Sequence, residues 1–337
     1  MEALARPALV FSHLYNIPAI SFSTLSGVWG IFDITGATTH PLIYPEAIHT
    51  RIYNLTFWEK ISELYLYFTT SRLHLNNLRT ENEMIKKQFG PNIPDLCELI
   101  KNIQMVFLNV HPIWDHNRPV PPNVVYLGGL HLKSPQELPQ DLKSYLDSSK
   151  NGVIYVSFGT NIVASMFPPE QIQIFTSVFS KLPYDVLFKW EKDDLPGRSE
   201  NVKIFKWLPQ ADLLRHPKIK VFITQCGQQS TDEALMAGVP LIGIPMFGDQ
   251  GFNAEQYIKF HIGKKLHIDS ITEASLRNAI DTVIEDKSYR ENIVKLRNII
   301  IDQPQSSLER AVWWTEHLLR HGGASHLRAP SASMHWT

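Results

Sequence analysis

Apolar positions along the chain fall into two kinds of run. Ile17–Ser23 (IPAISFS) and Gln104–Val110 (QMVFLNV) are short, nearly unbroken apolar stretches, the pattern of buried strands. Between them, Arg51–Gln88 reads as helix, with aromatics at Tyr53, Phe57, Tyr65 and Phe68. Such a stripe is more often core packing than a ligand pocket, so these rings are expected inside the protein. A Pro-rich stretch, Asn117-Arg118-Pro119-Val120-Pro121-Pro122, and a short apolar strand ending in Gly128-Gly129 follow. Leu132–Ser149 is polar and mostly lacks strand signal, which sets a domain boundary near residue 135.

From Gly152 the pattern changes to regular α/β alternation. Buried strands are expected at Val153–Phe158, Asp185–Trp190, Val202–Phe205, Val221–Thr224 and Pro240–Ile244. Helices fit between and after them: Pro169–Lys181, entered through proline, a short one near Asp212, then Gln229–Met236 and Asn253–Phe260. Strands and helices alternating at this spacing imply right-handed crossovers and a doubly wound parallel sheet with helices on both faces. Three amphipathic helices follow residue 270, the last at Ser306–Arg320 with Trp313 and Trp314. Ligands of such sheets sit outside the carboxyl ends of the strands, so the residues just after each strand are where chemistry is sought.

Length and composition narrow the choice. A chain of 337 residues suggests two domains, and 44% hydrophobic with 19% charged residues is globular composition. Lys plus Arg is 32 against 33 Asp plus Glu, a net charge of −1 that makes no whole-chain case for nucleic-acid binding. Cys97 and Cys226 stand in unrelated contexts, so neither a disulfide framework nor a zinc site is expected, and each reads as a free buried thiol. The opening MEALARPALVFSHLYNIPAI lacks the features of a signal peptide, and no window of about 18 apolar residues is present to span a bilayer. The closing ASHLRAPSASMHWT reads as an irregular tail. Asn54-Leu55-Thr56 is a glycosylation acceptor pattern, meaningful only on the secretory pathway.

The strand ends carry the candidate chemistry. Ser157-Phe158-Gly159-Thr160 is a small, hydroxyl-rich turn with groups suited to a phosphate. Gln225-Cys226-Gly227-Gln228-Gln229-Ser230 is a glycine turn leading into a helix, which aims unpaired N–H groups and a positive dipole end at the strand mouth. That arrangement suits a diphosphate. Neither the dinucleotide fingerprint nor the P-loop pattern is present. Ser230 reads equally well as a helix cap. Glu233, one turn on, is either a dipole partner or an acceptor for two ribose hydroxyls. Asp249 and Gln250 follow the next strand and suit sugar hydroxyls, with a helix cap as the alternative. Trp207 offers an indole for base stacking, or is a half-exposed packing residue.

Together these residues resemble the signature of the UDP-glycosyltransferases. The segment is WLPQADLLRHPKIKVFITQCGQQSTDEALMAGVPLIGIPMFGDQ, Trp207 to Gln250, with about a dozen matched positions at fixed spacing. Tyr126-Leu127-Gly128-Gly129, Val153–Thr160, the tail His321–Arg328 and the Gln225 form of the turn look like insect members, and the resemblance covers nearly the whole chain. It implies the GT-B fold, two facing doubly wound domains, the N-terminal one incomplete here. Residues 1–135 would then be the later part of the acceptor-binding domain and 136–305 the UDP-sugar domain. Residues 306–337 would be a helix and tail packing back toward the first. The resemblance assigns Trp207 to stacking on uracil, Gln210 to base or ribose, and Glu233 to ribose hydroxyls. Ser157, Thr160, Gln225, Gly227 and Ser230 are assigned to the diphosphate, with Gly159 and Gln229 in the same turns, and Asp249 and Gln250 to the transferred sugar. No metal and no cofactor are implied; the co-substrate is a UDP-sugar, with UDP-glucose expected.

Two departures from the family pattern stand out. Cys226 occupies a place where the family usually has glycine; a Cβ at a position needing positive φ costs on the order of 1 kcal/mol or more, so a weaker donor site is expected. The family's general-base His and its orienting Asp match nothing in this chain: His13, His40, His49 and His111 lack the motif context, and the pair is expected upstream of residue 1. The resemblance implies inverting, metal-independent transfer of a hexosyl group, with glucose expected, to a hydroxyl of a small lipophilic acceptor. The alternatives are a truncated form that binds UDP-sugar or associates with a full-length partner, and a nonfunctional fragment. Full-length family members imply the lumenal side of the endoplasmic reticulum membrane and a role in detoxification, and homo- or hetero-oligomers are open.

Overall fold

The computed structural model describes residues 1–27 and 30–333, so Met334–Thr337 of the expected tail lie outside the described residues. The chain divides into two compact units: residues 1–130 with 303–337, and residues 131–302. In chain order the first contains α1 (Leu9–Leu14), β1 (Ala19–Ser23), α2 (Ile31–Thr35), α3 (Phe57–Phe89), α4 (Leu96–Leu99), β2 (Ile103–Leu108) and β3 (Val124–Tyr126). The second contains α5 (Gln140–Ser148), β4 (Val153–Ser157), α6 (Pro169–Ser180), β5 (Asp185–Lys189), β6 (Val202–Phe205), α7 (Gln210–Leu214), β7 (Ile219–Thr224), α8 (Gln228–Ala237), β8 (Leu241–Gly243), α9 (Gln250–Lys259), β9 (Gly263–Lys265), α10 (Glu273–Glu285) and α11 (Ser288–Ile301). Helix α12 (Ser307–His321) belongs to the first unit. No helix among the described residues is long and apolar enough to cross a membrane.

In unit 1 the strands form a parallel sheet in the order β1-β2-β3. One face packs on Leu9, Leu78, Ile85 and Leu96. On Met105, Phe107 and Val125 sit Leu318 of α12 and Ala324 beyond it. Arg310 of α12 donates to the Tyr126 carbonyl (3.2 Å) and Ser307 to that of Gly128 (2.7 Å), which fixes the helix to the end of β3.

Helix α3 corrects one expectation. It runs for 33 residues from a capping box in which the Thr56 hydroxyl accepts from Glu59 N–H and Glu59 accepts from Thr56 N–H (2.9 Å). Thr56, half of the glycosylation pattern, therefore has a structural task. The aromatic stripe expected in the core faces outward: Phe57, Tyr65 and Phe68 are each about two-thirds exposed or more, and Trp58 joins them. Tyr53, outside the helix, stacks on His116. The inward face instead carries Glu63, Leu78 and Ile85. The reason is pairing: Glu63 accepts from the fully buried His49 at 2.7 Å, so a polar helix face finds its partners inside.

Unit 2 is a six-stranded parallel sheet in the order β6-β5-β4-β7-β8-β9, doubly wound as expected. β4, buried along its length, pairs with β5 on one side and β7 on the other, so the strand order reverses there. A cluster of Phe158, Phe175, Phe179, Phe188 and Trp190 fills one face. Two elements were not expected. α5 forms within the polar stretch because Leu142 and Leu146, one turn apart, bury themselves while the rest stays wet. β9 has the sequence Gly-Lys-Lys and is held by backbone pairing with β8, with Lys265 bound to Glu255 at 2.7 Å. β7 starts two residues before the expected point, and α9 starts at Gln250 rather than near Asn253, directly at the strand mouth.

Candidate functional site

The reversal between β4 and β7 is where a doubly wound sheet opens a crevice at its carboxyl edge. Two turns meet there. After β4, Gly159 adopts φ +73°, and a Cβ on it would lie 2.2 Å from Gln225 Nε2; only glycine fits. Gly159 N–H donates to Ser157 Oγ (3.3 Å), and the Ser157 side chain is buried while Thr160 is exposed. After β7, the Gln225 amide is steadied by the Thr224 hydroxyl, which donates to its Oε1 at 2.9 Å.

Cys226 has φ +71°, the left-handed geometry expected for a glycine position. It is fully buried, and its Sγ occupies the space above Gly243, where any added Cβ would meet it at 2.4 Å. The side chain therefore points into the core, while the backbone keeps the positive φ whose cost was expected. Of the two thiols expected to be buried, Cys226 is and Cys97 is exposed, on the wet side of the short helix α4. Burial pushes the Cys226 thiol up, away from reactivity. The Cys226 carbonyl accepts from Asn253 Nδ2 at 2.8 Å, which ties the turn to α9.

Gly227 is the extended N-cap of α8, and no side chain caps the helix locally. The cap comes from another element: Asp249 Oδ2 accepts from Gln228 N–H (3.2 Å) and from Asn253 Nδ2 (2.9 Å). Ser230 is not the cap; its Oγ accepts from Gln210 Nε2 at 2.9 Å. Gln250 accepts through Oε1 from the N–H groups of Met246 (2.8 Å) and Phe247 (3.1 Å), rigidifying the loop after β8. The capping alternative thus describes Asp249, though for α8 and not for its own helix, whereas Gln250 binds the loop before α9 and caps no helix. The Gln229 side chain is exposed, and its carbonyl lies 3.3 Å from His131 Nε2.

Gln210 joins the remaining residues. Its Nε2 donates to Glu233 Oε2 (2.7 Å) as well as to Ser230, and its Oε1 accepts from the Tyr155 hydroxyl (3.0 Å). Burial raises the Glu233 carboxyl, and the Gln210 bond pulls the other way. Trp207, just after β6, is 69% exposed, an indole face open to solvent.

The structure brings Ser157, Gly159, Gln225 and Gly227 together at the reversal, and Gln210, Ser230 and Glu233 into one network. Sequence reasoning missed three participants. Asn253 was readable only as a residue one turn from Asp249, and Tyr155 carried no signal beyond a strand aromatic. Asp232 is the third: Gln228 Nε2 donates to its Oδ1 (3.0 Å), while Oδ2 is buried without a partner. Burial, with Glu233 and Asp249 nearby, pushes its carboxyl up to about 8.

Comparison with known proteins bears on the fold and the family. Solved structures similar to this chain include a UDP-glucose:anthocyanidin 3-O-glucosyltransferase in complex with UDP, with a TM-score of 0.65 at 19% identity over 95% of this chain and 74% of that one. A glycotransferase of kitacinnamycin is similar with a TM-score of 0.64 at 19% identity, over 94% and 74%. These likenesses bear out the expected GT-B fold. In sequence, an ecdysteroid UDP-glucosyltransferase of Lymantria dispar multicapsid nuclear polyhedrosis virus is 38% identical over 96% of this chain and 65% of its own length. UDP-glucosyltransferase 2 of Dactylopius coccus is 36% identical over 89% and 59%. The chain thus spans about two thirds or less of the length of these curated relatives. The family described as UDP-glucoronosyl and UDP-glucosyl transferase matches residues 1–337, and the chain belongs to that family.

Proposed function

We propose that this chain belongs to a UDP-glycosyltransferase that moves a hexosyl group, glucose by preference, from a UDP-sugar to a hydroxyl of a small lipophilic acceptor, with the donor held by unit 2. The observation that carries the reading is the meeting of the Gly159 and Gln225–Gly227 turns with the N-terminus of α8, capped only from the start of α9 by Asp249, at the strand-order reversal. There the diphosphate meets the helix dipole, first-turn N–H groups and the hydroxyls of Ser157 and Ser230. Glu233, oriented by Gln210, accepts from the ribose hydroxyls, and exposed Trp207 stacks on uracil. Asp249 and Gln250, at the mouth of β8, hold the α8 terminus and the loop after β8 that would border the transferred sugar.

The chemistry is displacement at the anomeric carbon with inversion. As the glycosidic C–O bond breaks, negative charge grows on the departing diphosphate, and the helix terminus stabilises it where it develops. The acceptor's hydroxyl must lose a proton as it attacks, a step worth typically 10²–10⁴-fold when a base assists. No residue of this chain is assigned to it. A second reading, UDP-sugar binding without turnover, is favoured by the state of its histidines. His49 is fully buried on Glu63, and burial holds His111 down at about 4.

Calorimetric titration with UDP and UDP-glucose tests the donor site. Saturable binding that falls at least several-fold in both Trp207→Ala and Glu233→Ala is expected; unchanged binding in both variants sinks the site. Release of UDP from UDP-glucose in the presence of a phenolic acceptor then separates the enzyme from the binding protein.

A further inference from the structure

The end of α12 and the turn after it carry three histidines, His317, His321 and His326, that the donor reading leaves unused. His317 and His321 are four residues apart, so the helix stacks them on one face, with their ring centroids 4.5 Å apart. Gly322, at φ +65°, ends the helix, and Ala324, fully buried against the sheet, anchors the short 3₁₀ turn Ser325–Leu327. That return sets His326 Nε2 3.3 Å from His317 Nε2. Trp313, one turn earlier, stacks on the His317 ring with 22° between the planes and steadies it.

A separation of 3.3 Å is long for a hydrogen bond between two nitrogens. It is the spacing of two ligands on one ion. Nitrogens about 2.05 Å from a tetrahedral zinc ion lie about 3.3 Å apart, whereas neighbours in a square plane at about 2.0 Å lie about 2.8 Å apart. The geometry selects the tetrahedral ion, and imidazole nitrogens suit zinc rather than Ca²⁺ or Mg²⁺, which take oxygen. The C-terminus of α12 brings its negative dipole end to the same place. Arg320, beside His321, has its charge paired with Glu316 at 3.3 Å. Among the described residues no three ligating side chains enclose one point as they stand. His317 and His326 supply two ligands, and the exposed His321, its ring 6.1 Å from that of His326, reaches the ion by side-chain rotation. We propose that His317 and His326 hold a zinc ion through Nε2, with His321 closing on it as third ligand and water completing the tetrahedron. The bound ion ties the last turn of α12 to the turn that follows. The site is built from unit 1 alone and does not rest on the donor reading.

Calorimetric titration of the untagged, chelator-treated full chain with Zn²⁺ tests it. One equivalent is expected to bind saturably, and roughly tenfold or more weakly in His317→Phe, which keeps a ring against Trp313, and in His326→Gln. Co²⁺ in place of Zn²⁺ should give the strong visible absorption of a tetrahedral ion, lost in both variants. His321→Gln should also weaken Zn²⁺, and unchanged affinity there overturns the third ligand. No saturable binding, affinity unchanged in either His317→Phe or His326→Gln, or the weak absorption of octahedral Co²⁺ overturns the proposal. None of the three histidines is buried, so each variant is expected to keep the circular dichroism of the unaltered chain.

Discussion

Helices α8 and α3 begin with equally readable signals and end up with opposite relations to their sequences. α8 follows a glycine turn and buries Ala234 and Leu235 together with Gln228 and Thr231, while Ser230 and Glu233 meet Gln210. α3 follows a capping box, buries Glu63 beside Leu78 and Ile85, and leaves Trp58, Tyr65 and Phe68 in solvent. Apolar periodicity marks a helix and its stripe; it does not say which face the rest of the fold has prepared for. In unit 2, α8 turns Ala234 and Leu235 inward and satisfies its buried Thr231 on the Gly227 carbonyl. In unit 1, His49 and Arg6 are placed to receive Glu63 and Glu81, so polar groups of α3 find partners inside and its rings stay outside.

The largest effect should come from breaking that polar interior. Glu63→Ala removes the partner of a fully buried imidazole and is expected to destabilise unit 1 by about 2–3 kcal/mol, read from chemical unfolding. A cost below about 0.5 kcal/mol would mean the pair does not hold α3 in place. Next, Gly159→Ala forces a Cβ against Gln225 at a left-handed position. It should destabilise unit 2 by about 1–2 kcal/mol and weaken UDP binding in calorimetry by tenfold or so.

Asp232 gives a pH-dependent test of unit 2. Its folded-state carboxyl is raised from the ordinary 3.8 to about 8, so the folded chain holds a proton that the unfolded chain gives up. Stability is therefore expected to fall as pH rises from about 4 to about 8, with little change from this group outside that window. Asp232→Asn keeps the Gln228 bond and should flatten part of the slope, gaining stability at pH 8 and not at pH 4. Glu233 and Asp249, both raised by burial, leave the remainder. An unchanged slope would show that Asp232 ionises as if in water. The smallest effect should be Phe68→Ser on the outer face of α3, within about 0.5 kcal/mol of the parent. A loss of 2 kcal/mol or more would restore the core reading of that stripe.

Much of unit 2 was legible residue by residue. Its strands are short apolar runs, and its crevice residues follow them at the places where parallel sheets bind ligands. Gly159 could be suspected as a turn glycine, but its need to clear Gln225 is visible only when the two turns meet. Cys226 shows the limit from the other side: its positive φ was readable, whereas the direction of its Sγ depended on the open space above Gly243. Asp232 looked like any polar position within a helix, and its perturbed carboxyl arises first from burial and then from Glu233 beside it and Asp249 across from it. α5 and β9 escaped notice because two leucines or a run of lysines carry too little pattern to stand out.

The α/β alternation and the doubly wound sheet are written in local periodicity, the residues at the strand mouths follow from it, and the family is carried by the segment Trp207 to Gln250. Which face of α3 lies inside and where the Cys226 Sγ points emerge only when distant segments pack together. The same packing joins Arg6 to His74 and Glu81. Each of those depends on what stands opposite a side chain, and the partners come from segments distant in the chain.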